Sequence, residues 1–470
     1  CSKLRDFVFK YEDLLGKEIW DVLDEEIQQD PGAFLSAINS YASRKGNLPI
    51  YLLIDEYDNF TNTILSTYGT EYYQKATHGE GFVRGFFNVI KAATTGTGSA
   101  LQRMFITGVS PVTMDDVTSG FNIGTNITTD PWFNDLVGFS EAELREMLTY
   151  YKEQGVLMQT VDETIVMMKP NYDNYCFSEE KLAQCMFNSD MALYFMKSFV
   201  LHHVKPKEIV DPNIRTDFNK LAYLIRLDHG LGENFSVIKE IAEQGEITTD
   251  IATHFSALEM TDVRNFKSLL FYFGLLSIKG VDMVGRPILH VPNLVVREQL
   301  FSFLIRGYIK HDIFKIDMNR MTMLFENMAF RGDWKPLFNF IAEAIREQSR
   351  IREYIEGEAH IKGFLLAYLG MYRYYQLYPE YELNKGFADF LFKPSPSVPV
   401  MPPLTYLLEV KYAKAGTSEK EIRALADEAR EQLLRYSQDE LVAEAKAKGG
   451  LKLITIVWCS WELVLLEEVL

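Results

Sequence analysis

Cysteine is scarce in this sequence of 470 residues, which holds only Cys1, Cys176, Cys185 and Cys459. These cysteines form no CxxC pair and have no ligand-like spacing with histidine, so neither a zinc site nor a disulfide framework is indicated. The sequence also lacks an apolar run of 18 or more residues and a signal peptide at its start. These absences predict reduced thiols and a cytoplasmic protein without a membrane span.

Basic residues are outnumbered by acidic ones. The chain has 48 Lys and Arg against 65 Asp and Glu, a formal net charge of −17. A strongly acidic chain binds phosphate backbones poorly, which counts weakly against a nucleic-acid role. The charge is a sum over the whole chain, whereas a binding cleft needs positive charge only locally. A bound divalent cation would also offset carboxylates at its own site.

Length and composition predict a multidomain α/β protein. A chain of 470 residues is too long for one ordinary core, and hydrophobic residues make up 47% and aromatic residues 13% of it. Disorder is therefore not expected to dominate. We expect three parts: an α/β domain at 1–139, a mostly helical lid or winged-helix-like region at 140–315, and an α/β domain with leading helices at 316–470.

Two short apolar segments near the start of the chain end in polar residues. The first, at 49–56, ends in Asp55 and Glu56, and the second, at 101–106, is followed by Thr107. Short apolar runs of this kind predict buried parallel strands. Because a helical stretch separates them, we expect an α/β unit whose ligands bind at the carboxyl ends of the strands.

The remaining segments alternate less regularly until the last third of the chain. A helix is predicted to start at Ser140, where Glu143 completes a capping box. A small hairpin is predicted between residues 272 and 293. The last domain has a clear order of helix, three strands, helix and strand. The four strands are predicted at 374–383, 386–392, 404–412 and 451–459. The helix before the last strand is predicted at 417–448.

Two acids and a lysine interrupt the apolar strands of the last domain. Glu409 and Lys411 are two residues apart in a strand, so both side chains point to one face while Val410 points to the core. If the strands pair around the proline-containing turn, Asp389 lies beside Glu409. Two carboxylates could then share Mg²⁺, and Lys411 could orient a water or stabilise developing negative charge. The alternative is an ordinary solvated Glu–Lys pair, although charges in an apolar strand are costly unless paired.

This arrangement resembles the PD-(D/E)XK nuclease superfamily, whose core has the same αβββαβ order, and more narrowly a bacterial group in which that nuclease follows an AAA-ATPase-like domain. The matching stretches are GEAH at 357–360, PEYELNKGFAD at 379–389, LEVK at 408–411 and EQLLRY at 431–436. The resemblance implies that Asp389 and Glu409 are metal ligands and Lys411 the catalytic lysine. It also implies an additional acid, Glu358, and Gln432 leaning over the site.

Several of these residues have plainer explanations. Glu358 could be a helix N-terminal acid favoured by the helix dipole, and Gln432 an ordinary exposed helix residue. Glu380 and Glu382, within the matching stretch 379–389, are expected to be structural or peripheral.

The N-terminal segment YLLIDEYD at 51–58 resembles a Walker B strand, and FITGVSP at 105–111 resembles a sensor strand. By this resemblance Asp55 holds Mg²⁺ through water, Glu56 polarises the attacking water and Thr107 is a polar sensor. The alternative is a strand-end acidic pair that caps a turn. The sequence contains no GxxxxGK[ST] motif, whose amides would cradle phosphates. Either the chain is truncated at its start or this member has lost nucleotide binding, so ATP is expected only if a P-loop lies upstream.

The sequence thus predicts an Mg²⁺- or Mn²⁺-dependent nuclease linked to an ATPase-like regulatory module. By resemblance the substrate would be DNA, and a homo-oligomer is possible. One alternative is a non-cleaving, ATPase-derived regulatory or assembly protein with a degenerate nuclease domain. Another is an ATP-driven switch that controls a partner protein. Candidate nucleic-acid contacts, each more often a solvated charge, are Arg346, Arg350, Arg352, Lys385, Lys414, Lys420, Arg423 and Arg430.

Overall fold

The structure is a computed structural model that forms two compact units. The first comprises Cys1–Asp130 with Asp250–Gly274, and the second Pro131–Thr249 with Leu275–Leu470. The three-part division expected from the sequence stays a prediction. The predicted contacts Arg350, Arg352 and Lys385 lie outside the described residues. The structure describes residues 1–46, 48–79, 81–95, 99–112, 116, 124–202, 206, 233–310, 315–348, 355, 357–383, 386–395, 398 and 400–469.

The helices and strands are numbered along the chain. Up to Asp130 they are α1 (Ser2–Lys10), α2 (Glu12–Leu15), α3 (Ile19–Val22), α4 (Pro31–Gly46), β1 (Ile50–Ile54), α5 (Asn59–Tyr68), α6 (Thr70–Thr77), α7 (Phe82–Thr95) and β2 (Leu101–Ile106). From there to Tyr272 they are α8 (Glu141–Glu153), α9 (Val161–Tyr172), α10 (Ser189–His202), α11 (Glu233–Gln244), β3 (Glu246–Thr248) and α12 (Val263–Tyr272). The rest are β4 (Ser277–Val281), β5 (Pro287–His290), α13 (Leu294–Lys310), α14 (Met318–Arg331), α15 (Lys335–Glu347), α16 (Glu358–Leu369), β6 (Tyr375–Leu383), β7 (Gly386–Pro394), β8 (Thr405–Ala413), α17 (Glu419–Tyr436), α18 (Glu440–Ala447), β9 (Leu451–Cys459) and β10 (Glu462–Glu468).

In the first unit β1 and β2 pair in parallel, as the sequence predicts. The prediction that β1 is buried is wrong for one of its faces, because Tyr51 and Leu53 are 63% and 76% exposed. Side chains alternate along a strand, and Ile50, Leu52 and Ile54 point toward the helical core of this unit. This unit is therefore α/β, while the P-loop type of fold remains a prediction for it.

The central part of the second unit begins with well-capped helices. Ser140 caps α8 in a reciprocal capping box with Glu143, as predicted. The predicted hairpin is also confirmed, since β4 and β5 pair antiparallel, and β3 adds to the other side of β5.

The last part of the chain forms a five-stranded sheet in the order β10-β9-β8-β7-β6. β6, β7 and β8 are antiparallel neighbours, whereas β8 and β9 run parallel because α17 makes the crossover between them. The predicted αβββαβ order is confirmed. Pro379 is tolerated within β6 because that strand is an edge of the sheet. The sequence did not predict β10, which extends the sheet at the opposite edge.

The single helix predicted over 417–448 is wrong, because the chain turns between α17 and α18. The Ser437 hydroxyl donates to the carbonyl of Leu434 at 2.8 Å and accepts from Lys446 Nζ at 3.2 Å. Serine side chains compete in this way with regular helical hydrogen bonds. The turn brings Val442 of α18 into the core beside β9. Among the described helices, none is long and apolar enough to span a bilayer.

Candidate functional site

Asp389 and Glu409 lie side by side on β7 and β8. The ladder pairs Phe390 with Leu408, so the next position along it sets Asp389 opposite Glu409. The two acids are only 4% and 3% exposed. The backbone N–H of Val410 donates to Asp389 Oδ2 at 2.6 Å, which fixes the orientation of that carboxylate. The predicted strand pairing is confirmed, and it brings two buried acids together.

The Glu409 carboxylate is paired on one oxygen only. Lys411 Nζ lies 3.2 Å from Glu409 Oε1, as expected for residues i and i+2 on one strand face. Glu409 Oε2 is buried without a hydrogen-bond partner in the described structure. Burial, and then the charge of Asp389, raise the pKa of Glu409 to about 7 against the opposing effect of Lys411. A buried, partly unpaired carboxylate of this kind is costly in its charged form unless a cation lies close by.

The second lysine of the site comes from α16. Lys362 Nζ forms an ion pair with Asp389 Oδ1 and lies 2.8 Å from Glu358 Oε1 and 3.1 Å from Glu380 Oε1. Burial disfavours its ammonium form, but Asp389 and Glu358 outweigh this and raise the pKa of Lys362. Burial also raises the pKa of Asp389, although Lys362 acts in the opposite direction. The structure therefore links Glu358 to Asp389 through Lys362.

Sequence reasoning missed Lys362 and assigned Glu380 to the periphery. The available signal was the spacing of Glu358 and Lys362, four residues apart on one helix face. No comparable signal pointed to Glu380, because its contact with Lys362 joins β6 to α16.

Helix α17 packs over β7, β8 and β9 and carries Gln432. Gln432 Oε1 is buried and has no hydrogen-bond partner within the described residues. The same holds for Thr455 Oγ1, whose residue pairs with Glu409 across β8 and β9. The prediction of an ordinary exposed helix residue does not fit Gln432. Unpaired buried polar atoms are costly, and they concentrate on the part of the sheet that holds Glu409.

A glycine explains how closely α17 can approach the sheet. A Cβ atom at Gly386 would lie 2.6 Å from the ring of Tyr436, which is itself 2% exposed. Only glycine accommodates this contact without displacement. Gly386 therefore helps to set the position of α17, and with it Gln432, over the strand that carries Asp389.

The residues of this site fit a divalent metal such as Mg²⁺. Mg²⁺ prefers hard oxygen ligands and is commonly held by one or two carboxylates and several waters. Asp389 and Glu409 supply such carboxylates, and Glu409 Oε2 has no competing partner in the described structure. A cluster of three or more His, Cys, Asp or Glu side chains arranged for metal binding is absent from the described residues, so the ligands here would be few.

The N-terminal acids occupy a different environment. Asp55 and Glu56 follow β1 and are exposed. The Thr107 hydroxyl donates to Asp55 Oδ1 at 2.5 Å, and the backbone N–H of Glu56 donates to Thr107 Oγ1 at 3.3 Å. Asn59 Nδ2 donates to Glu56 Oε2 at 2.9 Å. The structure thus brings together the three residues predicted at the ends of these two strands.

Asp58, which the sequence did not single out, joins the two strand ends. It is fully buried and accepts hydrogen bonds from the backbone N–H groups of Val109 and Ser110 at 3.0 and 3.1 Å. A Cβ atom at Gly108 would lie 2.2 Å from the ring of Tyr57, so the backbone passes close to this turn. Asp58 is therefore a structural acid beneath the exposed pair.

Comparison with known families agrees with this architecture. Residues 356–468 match the family model of the PD-(D/E)XK nuclease superfamily, and residues 1–118 match a model described as Predicted AAA-ATPase. A search of curated proteins gave no match, and neither did a search of solved structures.

These two matches describe the two ends of the chain. The chain combines a PD-(D/E)XK nuclease superfamily region with an AAA-ATPase-like region, as its resemblance predicted. The C-terminal region supports nuclease activity of the metal-dependent kind that is general in this superfamily.

Proposed function

We propose that the C-terminal domain hydrolyses phosphodiester bonds of DNA with Mg²⁺ or Mn²⁺ held by Asp389 and Glu409. The observation that carries this proposal is Glu409 Oε2, a buried carboxylate oxygen without a partner in the described structure, opposite a second buried acid. Lys411 pairs with the other oxygen only, and a buried carboxylate oxygen left without a partner is costly unless a further cation or a proton compensates it.

Each residue of the site has a distinct role in this proposal. When bound, the metal supplies Lewis-acid polarisation of the phosphodiester and lowers the pKa of a water. Val410 N–H holds Asp389 in its ligand orientation through Oδ2. Lys411, held at 3.2 Å by Glu409, directs its remaining ammonium hydrogens toward the water or the developing negative charge. Gln432 would offer its unpaired carbonyl oxygen to a water in the site.

DNA as the substrate rests on the family resemblance and on local positive charge. Lys414, Lys420 and Arg430 are exposed at the end of β8 and on α17. Arg423 is less available, because it donates to Glu467 at 2.7 Å. Phosphate contacts by a few such side chains would suffice locally despite the acidic net charge.

The N-terminal part would regulate the nuclease as an ATPase-like module. Here Asp55 and Glu56 would face the metal and the attacking water of ATP, and Thr107 would sense the phosphate end. The contact between Thr107 and Asp55 supports this assignment. ATP binding also needs a phosphate-binding loop, and the printed sequence contains none of the GxxxxGK[ST] type.

The nuclease proposal is tested by incubating the full chain with supercoiled plasmid, linear duplex, single-stranded DNA and RNA. Each substrate is assayed with Mg²⁺, Mn²⁺ and EDTA. We expect metal-dependent nicking that is lost in Asp389→Asn and Lys411→Met. The matched control is Glu444→Gln with Lys448→Met, an exposed acid–lysine pair at 2.6 Å at the C-terminal end of α18.

The outcome separates the candidate functions. Cleavage that persists in Asp389→Asn would place the chemistry elsewhere in the chain. Absence of cleavage with any substrate and metal would favour the non-cleaving regulatory protein. Cleavage of RNA but not of DNA would support nuclease activity with RNA as the substrate.

A further inference from the structure

Lys362 has no role in the proposed chemistry, yet three carboxylates surround its ammonium group. Asp389 Oδ1 is in direct ion-pair contact, Glu358 Oε1 is 2.8 Å away and Glu380 Oε1 is 3.1 Å away. The lysine side chain is 19% exposed. The three acids come from β7, α16 and β6, so this ammonium occupies the position of a small cation bound by separate elements.

The surrounding charge reinforces this description. Glu243 and Lys239 of α11 both approach the same region, because a Cβ atom at Gly363 would lie 3.0 Å from Glu243 Oε1 and 3.7 Å from Lys239 Nζ. Lys239 lies 3.8 Å from Glu243 Oε1, beyond hydrogen-bonding range. Acids thus outnumber lysines around Lys362 and Asp389, and Lys362 is the cation in contact with three of them.

The backbone of Glu380 is held in an unusual conformation. Its φ angle is +44°, a left-handed value that residues other than glycine seldom adopt. Such strain persists where the surroundings compel it and is concentrated at functional sites. The register of β6 and β7 sets Glu380 opposite Asp389, and its carboxylate reaches Lys362.

Both oxygens of Asp389 are engaged in this state. Oδ2 accepts the N–H of Val410, and Oδ1 contacts Lys362. A divalent cation on Asp389 would therefore meet a positive charge at the same carboxylate, and the two cations would repel strongly at such separations. Metal binding and the Lys362–Asp389 contact are consequently in competition.

We propose that Lys362 is an internal counter-ion that occupies the metal's place on Asp389 and withdraws toward Glu358 and Glu380 when a divalent cation binds. The proposal rests on the proposed function, since it takes Asp389 to be a metal ligand. Lys362 neutralises the buried acids before metal arrives. It also lowers metal affinity below the value that the carboxylates alone would give.

Direct metal binding tests this role without an activity measurement. Mn²⁺ is titrated calorimetrically into the metal-free full chain, into Lys362→Met and into the control Lys448→Met. We expect Lys362→Met to bind Mn²⁺ roughly tenfold more tightly than the wild type. Its metal-free unfolding temperature should fall, and Mn²⁺ should raise that temperature by more than in the wild type. Lys448→Met should behave as the wild type does.

A second variant protects the test against misfolding. Lys362→Gln is neutral and keeps hydrogen-bonding capacity, so it should also bind Mn²⁺ more tightly. Equal or weaker binding by both variants, with normal binding by the wild type, overturns the counter-ion role. If both variants bind Mn²⁺ more tightly than the wild type but the wild type cleaves no DNA, the nuclease proposal is overturned and the counter-ion role stands. Absence of Mn²⁺ binding in all proteins would overturn both.

Cys176 and Cys185 support a second, independent inference. Tyr175 and Met186 form an antiparallel bridge and exchange backbone hydrogen bonds of 3.1 and 2.7 Å. One step along, Cys176 faces Cys185 at a position without backbone hydrogen bonds, where paired Cα atoms are about 4.5 Å apart. That separation falls within the range that a disulfide spans.

The surroundings make this pair chemically unequal. Cys176 is buried and Cys185 is partly exposed. The hydrogen bond between the two thiols lowers the pKa of Cys176 to about 7, although burial acts in the opposite direction, and the same hydrogen bond raises the pKa of Cys185. Asn134 holds both segments, since its side chain accepts the N–H of Phe177 and donates to the carbonyl of Gln184. The two thiols are therefore fixed as neighbours.

We infer that Cys176 and Cys185 form a reversible disulfide with glutathione disulfide as oxidant. The partly exposed Cys185 passes its proton to the neighbouring Cys176 sulfur and attacks glutathione disulfide, which yields a mixed disulfide on Cys185 and releases one glutathione thiolate. That thiolate takes the proton from Cys176, whose sulfur then attacks the Cys185 sulfur and releases the second glutathione as a thiolate. Two thiols are thus oxidised to one disulfide, and one glutathione disulfide is reduced to two glutathiones.

Mass spectrometry tests this inference on the native chain. After treatment with glutathione disulfide and alkylation, trypsin cleaves at Lys181, between the two cysteines. We expect the two resulting peptides to be joined by a disulfide, and Cys176→Ser to accumulate glutathione on Cys185 instead. Recovery of both cysteines as alkylated thiols, or glutathione on wild-type Cys185 without closure, would overturn it.

Discussion

The two pairs of acids, Asp389 with Glu409 and Asp55 with Glu56, show how burial changes carboxylate chemistry. Asp389 and Glu409 lie within the neighbouring strands β7 and β8, whereas Asp55 and Glu56 follow the end of β1. Asp389 and Glu409 are 4% and 3% exposed, whereas Asp55 and Glu56 are exposed to solvent. In the buried pair burial raises the pKa of both acids. The two pairs therefore differ both in their position on the strands and in their electrostatic environment.

The partners of the acids differ in the same way. Lysines neutralise the buried pair, with Lys362 on Asp389 and Lys411 on Glu409. The exposed pair instead accepts hydrogen bonds from neutral groups, chiefly from the Thr107 hydroxyl to Asp55. Water screens exposed charges, whereas a buried carboxylate needs a cation close by. This difference favours metal binding at Asp389 and Glu409 over metal binding at Asp55 and Glu56.

The largest expected effect is on cleavage by the buried pair. Asp389→Asn should lower metal-dependent DNA cleavage by roughly a thousandfold, because the metal loses a charged ligand. Plasmid nicking measured over time gives the rate. Asp427→Asn, an exposed acid on α17, is the matched control and should leave the rate unchanged. An equal loss of cleavage rate in both variants would contradict the special role of the buried acids.

The next effect concerns the stability of the metal-free protein. With a pKa of about 7 when folded and 4.5 as its ordinary value, Glu409 binds more protons folded than unfolded between those pH values. The free energy of unfolding should therefore fall as pH rises from 4.5 to about 7, by at most about 3 kcal/mol. Glu409→Gln should remove this part of the pH dependence. Urea unfolding in EDTA across this range measures it, and an unchanged slope in the variant would contradict the assignment.

A buried acid in the N-terminal unit should matter more for stability than its exposed neighbour. Asp58→Ala leaves the N–H groups of Val109 and Ser110 without their carboxylate and should cost about 2–3 kcal/mol. Asp55→Ala should cost less than about 1 kcal/mol, because Asp55 itself is exposed to water. Urea unfolding of both variants makes the comparison. A larger loss in Asp55→Ala would reverse the order of the two acids.

The smallest effect tests how α17 is positioned. Gly386→Ala places a Cβ atom 2.6 Å from the Tyr436 ring and should destabilise the protein by about 1–2 kcal/mol. Combining it with Tyr436→Leu should cost less than the sum of the two single changes, because the clash is removed. Thermal unfolding measures all three variants. Strict additivity would show that the two residues do not compete for space.

Sequence reasoning predicted the local features of the candidate site well. The common face of Glu409 and Lys411 follows from the two-residue period of a strand, and the order αβββαβ follows from the pattern of apolar segments. It failed where a turn interrupts a helical pattern at Ser437, and it did not identify β10. A serine turn and an edge strand leave only weak patterns in a sequence.

Local sequence patterns could not predict contacts between elements that lie far apart in the chain. The ion pairs of Lys362 with Glu380 and Asp389 join α16 to β6 and β7, and the facing of Cys176 and Cys185 depends on one backbone bridge. Their residue types are common, so nothing in their spacing distinguishes them from solvated surface groups.

The scarcity of cysteine illustrates the same limit. The sequence by itself determined that four cysteines are present and that none forms a CxxC pair. It also determined the α/β class and the positions of Asp389, Glu409 and Lys411 on strands. Only the tertiary structure decided that Cys176 faces Cys185, and that the two acids are buried among lysines. Periodicity is local to the chain, whereas burial and charge pairing depend on which elements pack together.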